Sequence, residues 1–221
     1  MLDHKTRYLQ IALNDDLFAA YRILPRLPPS DRILIEAGTP FIKREGFKGL
    51  RQIKQLWKGF VVADLKTMDG ALEEVDLAYH AGASAATVLG SASVETINCF
   101  VKRCKELELV SMIDMINIEE PLKILFKLKH VPDVVILHRG RDEETTRGKV
   151  IKYKHITKIR SKYPVLISAA GGIDLNEASS AIFNGANIVV VNMVTSEDPW
   201  AGIKQGEDIA TVAEQFLKTI G

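Results

Sequence analysis

Asp64 and Lys66 stand two residues apart at the end of the apolar run Phe60 to Leu65, and Asp69 follows three residues later. On an extended strand alternate side chains share a face, so this carboxylate and this ammonium project the same way. Side by side in a partly dry site, each keeps the other charged. That arrangement suits proton handling or the stabilisation of a developing oxyanion; it could equally be a structural ion pair closing a protein interior. Glu36 lies near the end of the run Arg32 to Ala37, and Asp114 directly follows the run Leu109 to Ile113. Three carboxylates and one lysine brought together would be costly to desolvate without a ligand, such as a hard cation that takes oxygen donors. His138 and Arg139 follow the run Val134 to Leu137. An imidazole titrating near neutrality makes His138 a candidate general acid or base, with a structural histidine as the alternative. The remaining histidines, His4, His80, His130 and His155, fall at the terminus, at helix ends or within a helix, and are expected at the surface. Gly171-Gly172 follows the run Val165 to Ala169 and precedes a helical segment. Backbone N–H groups there can cradle a phosphate, or the pair can simply make a tight turn.

The elements that must position these residues follow from the alternation of apolar runs and amphipathic stretches. Strands are expected at Tyr8 to Leu13, Arg32 to Ala37, Phe60 to Leu65, Ala85 to Leu89, Leu109 to Ile113, Val134 to Leu137, Val165 to Ala169 and Ile188 to Val191. Between them helices are expected at Asp15 to Leu24, Arg44 to Trp57, near Ala71 to His80, at Val94 to Leu107 and at Glu119 to Leu128. A charged loop, Arg139 to Lys149, leads to a helix ending near Lys162, and the last two helices are expected at Asn176 to Phe183 and Ile203 to Leu217. Runs without apolar/polar alternation indicate strands buried on both faces, as in a parallel sheet. Eight strand–helix units predict an α/β fold, a single (β/α)8 TIM barrel domain over residues 1–221. In such a barrel, polar residues at the C-terminal strand ends converge on one mouth, and that is where Glu36, Asp64, Asp114, His138 and Gly171 fall.

The bulk composition agrees. The chain has 221 residues and is 47% apolar, enough to fill a barrel core, with a mean hydropathy of +0.04. Its 29 basic and 28 acidic side chains leave a net charge of +1, and no block of like charge forms a nucleic-acid footprint. The two cysteines, Cys99 and Cys104, share one expected helix but not one face, so neither a disulfide nor a metal pair is expected. No run approaches the roughly 20 apolar residues of a membrane span, and Met1-Leu2-Asp3-His4-Lys5 shows no signal-peptide pattern. A cytoplasmic location is expected.

The segment Ala63-Asp-Leu-Lys-Thr-Met-Asp69 resembles the D-x-K-x-x-D signature of the orotidine 5′-monophosphate decarboxylase superfamily. Leu9-Gln-Ile-Ala-Leu13, Ile35-Glu-Ala-Gly-Thr-Pro40, Thr87-Val-Leu-Gly90, Ile113-Asp-Met-Ile116, His138-Arg-Gly140 and Ala170-Gly-Gly-Ile173 extend the likeness over nearly the whole chain. Together they are similar to the branch holding 3-hexulose-6-phosphate synthase and 3-keto-L-gulonate 6-phosphate decarboxylase. The resemblance implies an aldehyde-lyase exchanging D-arabino-3-hexulose 6-phosphate with D-ribulose 5-phosphate and formaldehyde. The alternatives are the decarboxylase reaction and a member that has lost turnover. It also implies a homodimer with shared sites and a Mg2+ ion stabilising an enediolate. Glu36 and Asp64 would be metal ligands, Lys66 would stabilise the oxyanion, and Asp69 would reach into the partner's site. Asp114 and His138 would handle hydroxyls and protons, and Asp114, where the decarboxylases usually have Glu, favours the synthase. Arg139, Gly171 and Gly172 would contact substrate. Two positions depart from the family: Asn14 where Asp is usual after the first strand, and Asn192-Met193 where strand eight normally ends in a glycine-rich phosphate grip. Both are expected to line the substrate site.

Overall fold

The computed structural model describes residues 2–144, 146 and 150–221, so the end of the charged loop Arg139 to Lys149 lies partly outside the described residues. Eight strands, β1 (Tyr8–Leu13), β2 (Ile33–Ala37), β3 (Val61–Thr67), β4 (Ala85–Leu89), β5 (Val110–Asp114), β6 (Val134–His138), β7 (Leu166–Ala170) and β8 (Ile188–Val194), pair in sequence order. Every pairing is parallel, and β1 also pairs with β8, for example Leu9 with Val189, which closes the barrel. The helices between them are α1 (Leu17–Ile23), α2 (Thr39–Leu56), α3 (Ala71–His80), α4 (Val94–Glu106), α5 (Pro121–Leu125), α6 (His155–Arg160), α7 (Leu175–Phe183) and α8 (Ile209–Thr219). Side-chain oxygens cap four of them: Asp16, Ser93, Asp174 and Asp208 each accept from the backbone N–H three residues on, satisfying one of the orphan donors of a first helical turn.

The strand parity sorts the core into two layers. Leu34, Val62, Ala85, Met112, Val134, Leu166 and Ile188 point into the barrel and pack on one another. Their neighbours Ile33, Ile35, Ala63, Ile113, Val135, Ile167 and Val189 point outward and pack under the helices. Each strand is therefore buried on both faces, which is why the runs carry no polar alternation. Following the inward set to its C-terminal end gives Glu36 on β2, Asp64 on β3, Thr87 on β4, Asp114 on β5, His138 on β6 and Asn192 on β8. One barrel mouth collects them all.

Several expected boundaries move. Helix α2 starts at Thr39 rather than Arg44 and contains a non-helical residue, Gly46, at φ 62°. Helix α5 is only five residues long. The expected last helix does not begin at Ile203: Ile203–Lys204 forms a short strand, β9, that pairs with Met193 and Val194 of β8, and α8 begins after Asp208. Asp208 is a good cap residue and accepts from the Thr211 N–H, so the helix start is set there. His155, expected at the surface, is buried at 8% exposure at the start of α6. Cys99 is exposed and Cys104 buried, both free thiols of α4; burial pushes the Cys104 thiol up to about 12.

Candidate active site

The mouth residues line a cavity of about 440 Å³. At its base four groups form a chain. Lys66 Nζ donates to both carboxylate oxygens of Asp64, at 2.9 and 2.7 Å, and lies 3.1 Å from Asp114 Oδ2. His138 Nδ1 lies 2.8 Å from the same Asp114 oxygen. Asp64 and Asp114 are buried at 6% and 1% exposure.

Lys66 reaches both carboxylates because β3 is irregular. Ala63 pairs with Ala86 and the next registered pair is Thr67 with Val88, so β3 carries two extra residues against β4. Within that bulge Lys66 adopts φ 48°, a left-handed backbone that costs a non-glycine residue of order 1 kcal/mol or more. Lys66 N–H is held by Thr87 Oγ1 at 2.9 Å. Thus Asp64 and Lys66 do meet, through a bulge rather than by simple strand alternation. Asp64 is further held by hydrogen bonds from Thr39 Oγ1 at 2.7 Å and Thr87 Oγ1 at 2.9 Å.

The electrostatics follow from crowding. Burial, then the charge of Asp64, pushes the Glu36 carboxyl from 4.5 up to about 7, with Lys66 and a hydrogen bond from Gln10 pulling the other way. Burial works to raise the Asp114 carboxyl, but the His138 and Lys66 charges and hydrogen bonds outweigh it and hold it well below the usual range. For Lys66, burial opposes the charge while Asp64, Asp114 and Glu36 favour it, and its pKa rises. His138 is likewise raised: burial lowers it, and Asp114 more than compensates. With Nδ1 committed to Asp114, Nε2 is the His138 nitrogen left for proton exchange with a ligand.

Asn14 and Asn192 line the same cavity and are joined to each other, Asn14 Nδ2 donating to Asn192 Oδ1 at 3.0 Å. Asn14 Oδ1 sits 2.1 Å from where a β-carbon on Gly38 would stand, so a larger residue at 38 would push the Asn14 side chain from this position. Met193 differs from its neighbour. The next residue along the strand takes the opposite face: its side chain is buried in the outer layer, and it lines not the main cavity but a smaller one of about 200 Å³, shared with Asn14 and Arg141. Asp69 is exposed in the loop after β3 and does not line the cavity of its own chain.

Gly171 and Gly172 turn the chain out of β7 at φ 99° and 66°. Gly171 must be glycine for space as well, since a β-carbon would meet the backbone atom Arg139 O at 1.9 Å; a β-carbon on Gly172 would meet Arg139 Nη2 at 1.9 Å and push the guanidinium off the turn. Arg139 Nη2 donates to Gly171 O at 2.9 Å and Gly172 O at 3.3 Å. Its guanidinium therefore braces this turn, and Arg139 lines a neighbouring cavity of about 320 Å³.

Gln10, Thr39, Thr87, Lys43, Arg141 and Glu144 also line the main cavity and did not stand out as site residues. Gln10 carried a signal, being the single polar residue inside Tyr8–Leu13. Thr87 carried a weaker one, since it shares the inward parity of Ala85. Lys43, Arg141 and Glu144 carried none, because loop and helix residues have no parity to read.

A family model described as orotidine 5′-phosphate decarboxylase / HUMPS family matches residues 7–199. The bifunctional enzyme Fae/Hps of Methanothrix thermoacetophila is 36% identical over 215 residues, covering 96% of this chain and 52% of the relative. Its counterpart in Methanocaldococcus jannaschii is 38% identical over 216 residues, covering 95% of this chain and 55% of the relative. The chain thus spans about half the length of the curated relatives it matches. A crystal structure of 3-hexulose-6-phosphate synthase from Salmonella typhimurium aligns at TM-score 0.82 with 28% identity, covering 96% of this chain and 98% of that one. A 3-keto-L-gulonate-6-phosphate decarboxylase structure from Vibrio cholerae aligns at TM-score 0.75 with 24% identity, covering 97% of each chain, and shares the fold. The chain belongs to the orotidine 5′-phosphate decarboxylase / HUMPS family.

Proposed function

We propose that the chain is a 3-hexulose-6-phosphate synthase-like aldehyde-lyase, interconverting D-arabino-3-hexulose 6-phosphate with D-ribulose 5-phosphate and formaldehyde. The observation that carries this reading is the Asp64–Lys66–Asp114–His138 chain at the base of the cavity. In the cleavage direction the C1 hydroxyl gives up its proton and the C1–C2 bond breaks. C1 leaves as formaldehyde, and the electron pair becomes the C2–C3 enediolate, which is protonated on C2 to give ribulose 5-phosphate. Lys66, held charged by its two carboxylates, stabilises the enediolate oxygen. His138, oriented by Asp114, exchanges the proton through Nε2. Asp114 holds the imidazolium form and keeps Lys66 pointing into the cavity.

Glu36 and Asp64 suit a divalent cation such as Mg2+, which takes oxygen ligands. The raised Glu36 pKa comes first from burial and then from the Asp64 charge, and a cation between the two carboxylates would offset both. Among the described residues no three His, Cys, Asp or Glu side chains are grouped as a metal cluster, so these two would hold the ion together with substrate and water oxygens. It would supply positive charge at the substrate's carbonyl and hydroxyl oxygens. The test is a coupled assay of formaldehyde release from the hexulose phosphate, with magnesium and with chelator. Release in magnesium supports the reading; carbon dioxide release from a 3-keto sugar acid phosphate instead would move the chain to the decarboxylase reaction, and neither would leave a binding protein.

The chain is further read as a homodimer with shared sites. Asp69 is exposed beside Met68 and Leu72, both 54% exposed, a patch suited to a second copy. Mixing inactive Asp69→Ala with inactive Lys66→Ala protein should restore activity through one whole hybrid site. No recovery despite demonstrated subunit exchange would remove Asp69 from the mechanism.

A further inference from the structure

At the cavity edge the turn Gly171-Gly172 brings the Gly172 N–H beside the Arg139 guanidinium, which is anchored on Gly171 O and Gly172 O, and donors gathered in this way form a nest that suits an anion. A carboxylate of the protein itself already lies there. Glu144, in the loop after β6, places Oε2 3.1 Å from the position a Gly172 β-carbon would take, on the same side as Arg139 Nη2. The Gly172 N–H and the charges of Arg139 and Arg141 all favour its ionised form, though burial acts more strongly and raises its pKa. The seat is imperfect: Glu144 Oε1 is buried without a hydrogen-bond partner among the described residues. A buried carboxylate oxygen left unpaired is a standing cost, so this contact is one that a better anion can replace.

We propose that Glu144 is a specificity-determining residue: its carboxylate occupies the anion nest of Gly171, Gly172 and Arg139, and the phosphate of a sugar phosphate binds by displacing it. The inference rests on the functional reading above only in that the substrate carries a phosphate. A phosphate dianion brings more charge and three acceptor oxygens to the N–H groups and the guanidinium. Another carboxylate gains nothing over the resident one, and a neutral sugar cannot displace it. The resident anion therefore selects phosphate esters over both. Once displaced, the Glu144 side chain is released into the solvent side of the cavity, and the cost of its buried oxygen is relieved as well.

Calorimetric titration of inorganic phosphate into the parent chain, Glu144→Gln and Glu144→Ala tests this. Both variants should bind phosphate about tenfold more tightly than the parent, the effect of removing one charged competitor from the resting nest. Equal or weaker binding by both variants overturns the inference, as does an absence of phosphate binding in all three proteins. Formaldehyde release by the parent, measured in parallel, tests the functional reading separately. A parent that turns over while the variants bind phosphate no more tightly loses only the Glu144 proposal. A parent that does not turn over loses the lyase reading, whatever the titrations give.

Discussion

Each barrel strand points side chains inward at both ends, yet the two ends of the barrel are different materials. At the floor the inward side chains are Leu34, Val62, Val110, Val134, Leu166 and Ile188, all buried and apolar. Two or four residues further along, the same parity yields Glu36, Asp64, Asp114 and His138. The floor gains from every methylene it buries, on the order of 1.5–3 kcal/mol for each large side chain. The mouth gathers charges that oppose burial and are held in place by one another: three carboxylates around Lys66, one of them pushed up to about 7. The difference teaches that stability and chemistry are separated along the barrel axis while sharing the same strands. Substitutions at the two ends should therefore fail in different ways.

The largest effect is expected at the mouth. Asp64→Asn should lower formaldehyde release on the order of a thousandfold while circular dichroism and a cooperative melt show an intact fold, since the amide oxygen can still accept from one of the Thr39 and Thr87 hydroxyls, which meet different oxygens of Asp64, and the NH2 can donate to the other. If Asp64 served only to close the barrel, stability would collapse instead. Next comes the floor. Ile188→Ala, at a fully buried position of β8, should lose about 2–5 kcal/mol in urea unfolding with little change in kcat. A large loss of turnover without a loss of stability would break the division.

Glu36→Gln sharpens the comparison by reversing the usual sign. Glu36 binds its proton more tightly in the folded chain, its pKa going from 4.5 to about 7. Parent stability therefore falls as pH rises from 4.5 through 7 and stays reduced above that. The neutral variant should be more stable than the parent at pH 8, by roughly 3 kcal/mol, and about equal to it below pH 4.5, while losing activity. Unfolding curves at the two pH values check this; a parent more stable than the variant at pH 8 would mean that the carboxylate is compensated there. The smallest effect is expected in the middle of the barrel. Ser168 is fully buried on β7, and its hydroxyl has no hydrogen-bond partner among the described residues. Ser168→Ala should be neutral or stabilising, within about 1 kcal/mol, by thermal melting.

Much of this was legible in the linear chain. The eight apolar runs were long enough to mark the strands, and all eight overlap β1 to β8. The carboxylates and His138 were visible as polar residues ending those runs. Strand periodicity is a local property, so it survives in one dimension. Non-local geometry did not. Met193 was expected beside Asn192 at the substrate site; only the fold shows that its side chain goes to the outer layer while the residue lines a smaller cavity with Asn14 and Arg141. Arg139 was expected to contact substrate, and only the fold shows that it also braces the carbonyls of Gly171 and Gly172, some thirty residues away. Helix α8 was expected to start at Ile203, where pairing of β9 with β8 prevails over helical tendency. His155 was expected at the surface, and only the packing of the α6 start against its neighbours buries it.

The amino-acid sequence by itself determined the barrel, because burial on both faces dictates unbroken apolar strands, and it determined which charged groups end those strands. The tertiary structure alone decided how they are wired. The β3 bulge and the left-handed Lys66 exist only against β4, the Asp114–His138 contact only when β5 lies beside β6, and the Asn14–Asn192 bridge only when β1 meets β8. Each is a contact between residues far apart in the chain, whose strength depends on distances and burial that no spacing in the sequence encodes.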